Sequence, residues 1–240
     1  MSGQGDRMSG DGDRTVFRGY SLRRETWRIA GHSFVLEWPD DIDAILDLPI
    51  TAERFARDEY LPYWAQPWPS SVMLAEAILQ SEPGGGRSAV ELGCGLGLVS
   101  LAAAARGWSV TAGDYDADAL AFAERNAALN GLNLRQTLRI DYREPAPRAA
   151  YDAVFAADLL YERRKAGPVA GWIATALRPG GLALVADPNR SAADGFPEAA
   201  SACGLHVSVR TVQTVTPAGL VARGRIWSVR HAGQGGVHTA

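Results

Sequence analysis

The stretch that decides the fold is Ser88-Ala89-Val90-Glu91-Leu92-Gly93-Cys94-Gly95-Leu96-Gly97-Leu98-Val99-Ser100. A short apolar run reaches an acidic residue, breaks into alternating glycines and continues as a leucine- and alanine-rich segment. This pattern predicts a strand, a tight turn and a helix. Glycine has no β-carbon, so the backbone of the turn can approach a ligand closely. The same pattern also suits simple packing of a strand against a helix, so the turn alone does not decide the function.

Two acidic residues make the turn more specific. Glu91 precedes the first glycine, where a negative charge disfavours a diphosphate and favours a cationic or amino-bearing ligand. Asp114 ends the next predicted strand, where a carboxylate can accept both hydroxyls of a ribose. Through Glu91-x-Gly93-x-Gly95-x-Gly97 and Asp114, residues 64–230 resemble a class I S-adenosylmethionine-dependent methyltransferase of the seven-stranded kind.

The resemblance implies a Rossmann-like α/β sheet of seven strands, the seventh antiparallel, with helices on both faces. The residue pattern adds a small N-terminal β-hairpin and helical segment. It implies S-adenosyl-L-methionine as the cofactor, with Asp141 reaching the adenine amino group and Tyr142 lying beside the ring. It assigns no metal. The candidate cofactor-binding residues are Trp68, Glu91, Gly93, Cys94, Gly95, Gly97, Asp114, Tyr115, Asp141, Tyr142 and Ala157.

The chain divides into four parts by composition. Residues 1–14 are rich in Gly, Asp and Arg and are expected to be a disordered tail, and residues 233–240 a second tail. Residues 15–82 are expected to form an N-terminal segment with a hairpin turning at Gly31-His32, short helices over 40–56 and a lid over 61–71. The lid is proline- and aromatic-rich, and a serine, Ser70 or Ser71, is expected to cap the helix after it. Residues 83–232 are expected to be the methyltransferase domain.

The fourth strand of the predicted domain delivers Asp158-x-x-Tyr161 to the edge of the crevice. Asp158 could orient an amine and Tyr161 could shape the channel, although a capping role and a core role are also open to them. The spacing resembles the substrate motif of the family-sixteen protein-lysine methyltransferases, and residues 158–163 and 185–190 look most like the enzymes that methylate the electron transfer flavoprotein β-subunit. Two departures, Pro69-Ser70-Ser71 and Asn189, leave the particular substrate open.

Three alternatives remain beside protein-lysine N-methylation. The same chemistry could act on a small amine or N-heterocycle. Tyr161-x-x-x-Lys165 matches the pair used by short-chain, nicotinamide-dependent oxidoreductases, but no suitably placed serine precedes it. A non-catalytic binder of the same cofactor is the third.

Composition indicates the cellular compartment and the classes of partner. The net charge of −3 lacks the positive excess that is typical of nucleic-acid-binding proteins, and two cysteines fit a reducing compartment. No apolar run suggests a membrane helix or a signal peptide. We therefore expect a cytoplasmic protein with no nucleic-acid or membrane partner.

Overall fold

The computed structural model describes residues 15–233, whose strands form two sheets. The predicted tail over residues 1–14, and residues 234–240 of the second, lie outside the described residues. The strands are β1 (Val16–Phe17), β2 (Tyr20–Ile29), β3 (His32–Pro39), β4 (Ser88–Leu92), β5 (Ser109–Asp114), β6 (Gln136–Arg139), β7 (Tyr151–Ala157), β8 (Leu177–Asp187), β9 (Leu205–Val215) and β10 (Val221–His231). The α-helices are α1 (Ile42–Leu46), α2 (Pro49–Asp58), α3 (Pro69–Leu79), α4 (Leu98–Ala105), α5 (Ala117–Leu129), α6 (Ala166–Ala176) and α7 (Phe196–Ala202).

The large sheet has the strand order β6-β5-β4-β7-β8-β10-β9. The five strands from β6 to β8 pair in parallel, whereas β10 is antiparallel to both β8 and β9. β10 is the seventh strand of this sheet in chain order. The prediction of a Rossmann-like sheet with an antiparallel seventh strand is confirmed.

Helices cover both faces of the large sheet because alternate residues of a strand point to opposite sides. Ala89 and Phe155 belong to a core that also contains residues of α3, α4 and α5. Val90 and Val154 belong to a second core with residues of α6 and α7. Within residues 15–233 no helix combines the length and the apolar character that crossing a bilayer requires.

The β2–β3 hairpin is joined to α5 by two asparagine side chains one helical turn apart. Asn130 accepts a hydrogen bond from Val35 N at 2.8 Å and donates to Val35 O at 2.7 Å. Asn126 accepts from Glu37 N at 2.8 Å and donates to Glu37 O at 3.1 Å and to Leu96 O at 2.9 Å. Because an amide side chain carries both a donor and an acceptor, the two asparagines replace a neighbouring strand along β3. Asn126 also connects the hairpin directly to the glycine turn.

Two local predictions were wrong. The hairpin turns at Ala30-Gly31, and His32 begins β3. Trp68, not a serine, is the N-cap of α3, because Pro69 has a fixed φ that suits the first helical position and so begins the helix one residue before Ser70. α6 ends at Ala176, and residues 178–181 after it lie inside β8, whose pairing with β7 is irregular there.

Candidate functional site

The site lies where the direction of the strand order reverses. β4 has β5 on one side and β7 on the other, so the chain crosses over in opposite directions from it. In an open α/β sheet this leaves a crevice at the carboxyl ends of the strands. The glycine turn follows β4 there, with φ of +65° at Gly93, +50° at Gly95 and +84° at Gly97, conformations that favour glycine.

A cleft of about 1180 Å³ opens at this edge. It exceeds the roughly 300–1,000 Å³ of most small-molecule sites, so it has room for a cofactor and part of a second ligand. Both predicted catalytic residues and all but one of the predicted cofactor-binding residues line it. These are Trp68, Glu91, Gly93, Cys94, Gly95, Asp114, Tyr115, Asp141, Tyr142, Ala157, Asp158 and Tyr161.

Gly97 does not line the cleft. A β-carbon at this position would lie 2.9 Å from Ala123 Cβ and 3.0 Å from Ala123 Cα on α5. Its glycine therefore serves close packing of the turn against α5. Cys94 lines the cleft, but burial raises the pKa of its thiol well above the usual range, so it is not poised as a thiolate nucleophile.

Glu91 is a buried carboxyl group with one oxygen committed to the protein. Its Oε2 accepts hydrogen bonds from Ser100 N at 2.8 Å and from Ser100 Oγ at 2.5 Å. Burial raises the pKa of Glu91 to about 8, although the bonds from Ser100 oppose the shift, and the charge of Asp114 adds to it. No described cation forms an ion pair with Glu91. A cationic ligand in the cleft would favour its ionised form.

Asp114 holds the glycine turn to the end of β5. Its Oδ2 accepts from Gly95 N at 2.9 Å and its Oδ1 from Asp116 N at 3.0 Å. Burial raises the pKa of Asp114 to about 6 in spite of these bonds. A carboxylate can accept about four hydrogen bonds, so each oxygen retains capacity for a ligand hydroxyl.

We expect Glu91→Gln to flatten the pH dependence of stability. Between the usual pKa of 4.5 and the folded value of about 8, the folded chain holds a proton that the unfolded chain releases. The free energy of unfolding therefore falls as pH rises through this window, by up to about 1.4 kcal/mol per pH unit for one proton. The glutamine amide oxygen can still accept from Ser100. Urea unfolding between pH 6 and pH 8, above the pKa of about 6 for Asp114, measures the slope. An unchanged slope in the variant would contradict the assignment.

The adenine end predicted for the cleft contains an ion pair and stacked cations. Arg143 binds Asp141, with Nη2 2.6 Å from Oδ2, and this hydrogen bonding lowers the pKa of Asp141. The guanidinium groups of Arg139 and Arg143 lie 4.8 Å and 5.5 Å from the centre of the Tyr115 ring. Asp141 is thus ionised at the edge of the cleft, and both of its oxygens accept hydrogen bonds from Arg143.

Asp158 stands at the end of β7 with a left-handed backbone, φ +59°. Its Oδ1 forms an ion pair with Arg190, and its Oδ2 accepts from Ser70 N, at the start of α3, at 3.3 Å. A positive φ is energetically unfavourable for residues other than glycine, and this cost is smallest for Asp and Asn. The strained backbone directs the carboxylate towards the cleft, and a cation and a helix N-terminus fix it there.

Tyr161 and Tyr142 both accept a hydrogen bond from Lys165, the single lysine of the sequence. Lys165 Nζ donates to Tyr161 Oη at 2.8 Å and to Tyr142 Oη at 3.1 Å, and lies 4.0 Å from the Tyr161 ring centre. Burial alone would lower the pKa of Lys165, but the interactions with the two tyrosines outweigh it and the net pKa is raised. Lys165 therefore remains an ammonium group, and it fixes the positions of both tyrosine hydroxyls.

Several residues of the predicted lid, among them Tyr63 and Trp68, line the cleft. Trp68 Nε1 donates to Tyr63 O at 2.7 Å, and the Tyr63 ring packs edge-on against Tyr161 at 5.1 Å. An ion pair between Glu59 and Arg164 joins the end of α2 to the loop after β7. The N-terminal segment therefore contacts the loop after β7 through both an aromatic pair and an ion pair.

The sequence reasoning missed Arg190, Lys165 and Tyr63 as members of the site, although all three line the cleft. Arg190 was visible only as part of the Asp187–Arg190 pattern after β8. Lys165 was considered only in an oxidoreductase motif.

The residues present fit S-adenosylmethionine. Glu91 is buried and Asp114 half-buried, and neither has a described cationic partner, which suits a ligand carrying sulfonium and ammonium charges and a ribose diol. The same two acids disfavour a dinucleotide diphosphate.

Comparisons with known proteins agree with this geometry. Residues 89–181 match the family model described as a methyltransferase domain. No curated protein sequence matches the chain significantly.

Solved structures share the fold at low sequence identity. An S-adenosylmethionine-dependent methyltransferase from Methanosarcina mazei is 16% identical with a TM-score of 0.51, over 69% of this chain and 98% of that one. An enzyme from a study of disulfide-to-thioacetal conversion in echinomycin biosynthesis is 19% identical, with a TM-score of 0.56 over 76% of this chain and 92% of that one. A precorrin 8w decarboxylase from Methanobacterium thermoautotrophicum is 20% identical, with a TM-score of 0.53 over 69% and 93%. Residues 89–181 therefore form a methyltransferase domain, and the acids around the glycine turn fit S-adenosylmethionine as its cofactor.

Proposed function

We propose that this methyltransferase acts on nitrogen, and that its acceptor is a lysine side chain of a protein substrate, with the electron transfer flavoprotein β-subunit as the first candidate. The observation that carries the proposal is the Asp158 carboxylate, which is held by Ser70 N and Arg190 and lines the same cleft as the rings of Tyr161, Tyr63 and Trp68. A carboxylate among aromatic faces suits an ammonium group, which is attracted by both the charge and the ring electrons.

Glu91, Asp114 and Asp141 would hold the cofactor, which supplies an electrophilic methyl group on a sulfonium when it is bound. The carboxylate of Asp158 would attract and orient the acceptor ammonium, and the Tyr161 ring would confine it to one approach. Holding the reacting groups in line is worth up to about 7–11 kcal/mol of the barrier. The acceptor nitrogen must lose a proton, since a free lysine has a pKa of about 10.4. The partly exposed Asp158–Arg190 edge of the cleft offers water a route to receive it.

Transfer to a small amine is the second candidate. The aromatic side chains of Tyr63, Trp68 and Tyr161 line a surface that would enclose a compact amine as well as a lysine side chain. The oxidoreductase alternative is disfavoured, because the glycine turn that lines the same cleft as Tyr161 and Lys165 is flanked by two acids, which would repel a diphosphate.

The test is transfer of labelled methyl groups from S-adenosylmethionine. Purified electron transfer flavoprotein and a set of small amines are incubated separately with the protein, and the products are separated and hydrolysed. Methyl-lysine in the flavoprotein supports the proposal. Label only in small amines favours the second candidate, and label on oxygen or carbon in every acceptor contradicts both.

Arg190→Met is expected to lower kcat about tenfold, because Asp158 loses the cation that fixes its carboxylate. Arg190→Lys retains a charge and should restore much of the rate. Affinity for S-adenosylhomocysteine, measured by calorimetry, should remain within about threefold in both variants, since the pair lies at the acceptor side of the cleft. Equal kcat in the methionine variant and the unmodified protein would show that Arg190 does not position Asp158.

A further inference from the structure

The segment from Asp40 to Glu59 exposes apolar side chains beside the cleft. Most of the described side chains of α1 and α2 are exposed. Among these described residues, Ile45 and Thr51 are buried. Leu46, Leu48 and Ile50 are 38–50% exposed. Exposed apolar side chains grouped in this way commonly mark an interaction surface. We call residues 40–59 the acidic face.

The acidic face concentrates the negative charge of the protein. Residues 40–59 contain seven acidic residues and two arginines, a net charge of −5, against −3 for the whole chain. Within the described part of the structure, the carboxylates of Asp43, Asp47 and Glu53 form no ion pair. Their field is therefore uncompensated and would attract a positively charged partner.

The acidic face is continuous with the cleft. Phe55, Ala56, Arg57 and Glu59 lie at its C-terminal end and also line the cleft that contains Asp158. A chain lying on α1 and α2 would therefore lead to residues that line the cleft.

We propose that the acidic face is the docking surface for the protein substrate, and that it binds a positively charged segment with apolar side chains beside the target lysine. This inference rests on the proposed function. A second copy of the chain is disfavoured, because two faces of net charge −5 would repel each other. Residues 1–14 are also unsuitable, since they carry a net charge of −1 and, apart from methionine, no large apolar residue.

The test measures binding of fluorescent peptides by anisotropy, so it does not depend on catalysis. Each peptide has one central lysine, with flanks of arginine and leucine, of glutamate and leucine, or of arginine and serine. The arginine–leucine peptide should bind at least about tenfold more tightly than either of the others, and its affinity should fall with added salt.

Two variants of the acidic face and a matched control test the surface itself. Asp43→Asn with Asp47→Asn and Glu53→Gln removes three charges, and Leu46→Ser with Ile50→Ser removes two apolar contacts. Each should weaken binding of the arginine–leucine peptide about tenfold. The control combines Glu82→Gln, Glu198→Gln and Val209→Ser, which are exposed positions elsewhere, and should bind as the unmodified chain does.

Equal binding of all three peptides, or equal loss in the control, would overturn the docking surface. The proposed function fails separately: a peptide that binds the acidic face but receives no methyl group on its lysine retains the surface and removes the lysine activity. A peptide that is methylated with no dependence on its flanks retains the activity and removes the surface.

Discussion

Asp158→Asn is expected to lower kcat/KM for the amine acceptor by at least about a hundredfold, because losing one partner of a desolvated charge pair costs about 2–5 kcal/mol. Asparagine is the informative replacement because, like aspartate, it tolerates the left-handed φ of +59° at this position. Its amide oxygen can still accept from Ser70 N or Arg190, but it carries no charge to attract an ammonium group. The loss should therefore reflect the missing carboxylate and not a displaced loop.

The control for this variant is the affinity for S-adenosylhomocysteine, which should remain within about threefold by calorimetry. The urea midpoint should also change little, since the backbone conformation is retained. If cofactor affinity and turnover fall together, Asp158 belongs to the cofactor pocket or to the stability of the fold. If turnover survives, the acceptor is not held by this carboxylate.

Asp114→Ala is expected to weaken cofactor binding by at least about a hundredfold. Hydrogen bonds to a charged acceptor contribute roughly 1.5–3 kcal/mol each, and a ribose diol offers two donors. The substitution also leaves Gly95 N and Asp116 N without their acceptor, so some stability will be lost. Calorimetric titration with S-adenosylhomocysteine gives the affinity, and urea unfolding without ligand gives the stability.

Asp116→Ala is a matched comparison for the second prediction, because it removes the N-cap of α5, whose side chain accepts from Asp118 N, and leaves Asp114 in place. If the two variants lose stability equally but only Asp114→Ala loses the cofactor, the ribose assignment holds. Retention of affinity in Asp114→Ala would remove that assignment.

The glycine turn and its acids could be predicted because their chemistry is local in sequence. Glu91 and Gly95 lie on one strand and its turn, and Asp114 must follow the adjacent parallel strand, so the topology of the sheet brings them together. The strand–helix boundaries near Asp116 and Tyr151 followed from capping and apolar pattern for the same reason.

The remaining site depends on contacts between distant parts of the chain. The Asp158–Arg190 pair joins the ends of β7 and β8, and sequence spacing gives no register for it. The start of α3 at Pro69 depends on the φ of one residue, and the early start of β8 depends on irregular pairing with Tyr151. In each case contacts with distant residues decide the structure, although the local sequence pattern favoured a different boundary or partner.

The asparagine contacts between β3 and α5 have a consequence for how the N-terminal hairpin can be treated. Deleting the residues before Ser88 would strip Asn126 of two of its three hydrogen-bond partners, while the third, Leu96 O, belongs to the glycine turn itself. The hairpin thus stabilises the glycine turn, which must bind the nucleoside. In a fragment without the hairpin, we expect this turn to be more mobile. Cofactor binding at the glycine turn should therefore raise the hydrogen-exchange protection of the Val35 and Glu37 amides, because the hairpin and the turn would open as one cooperative unit.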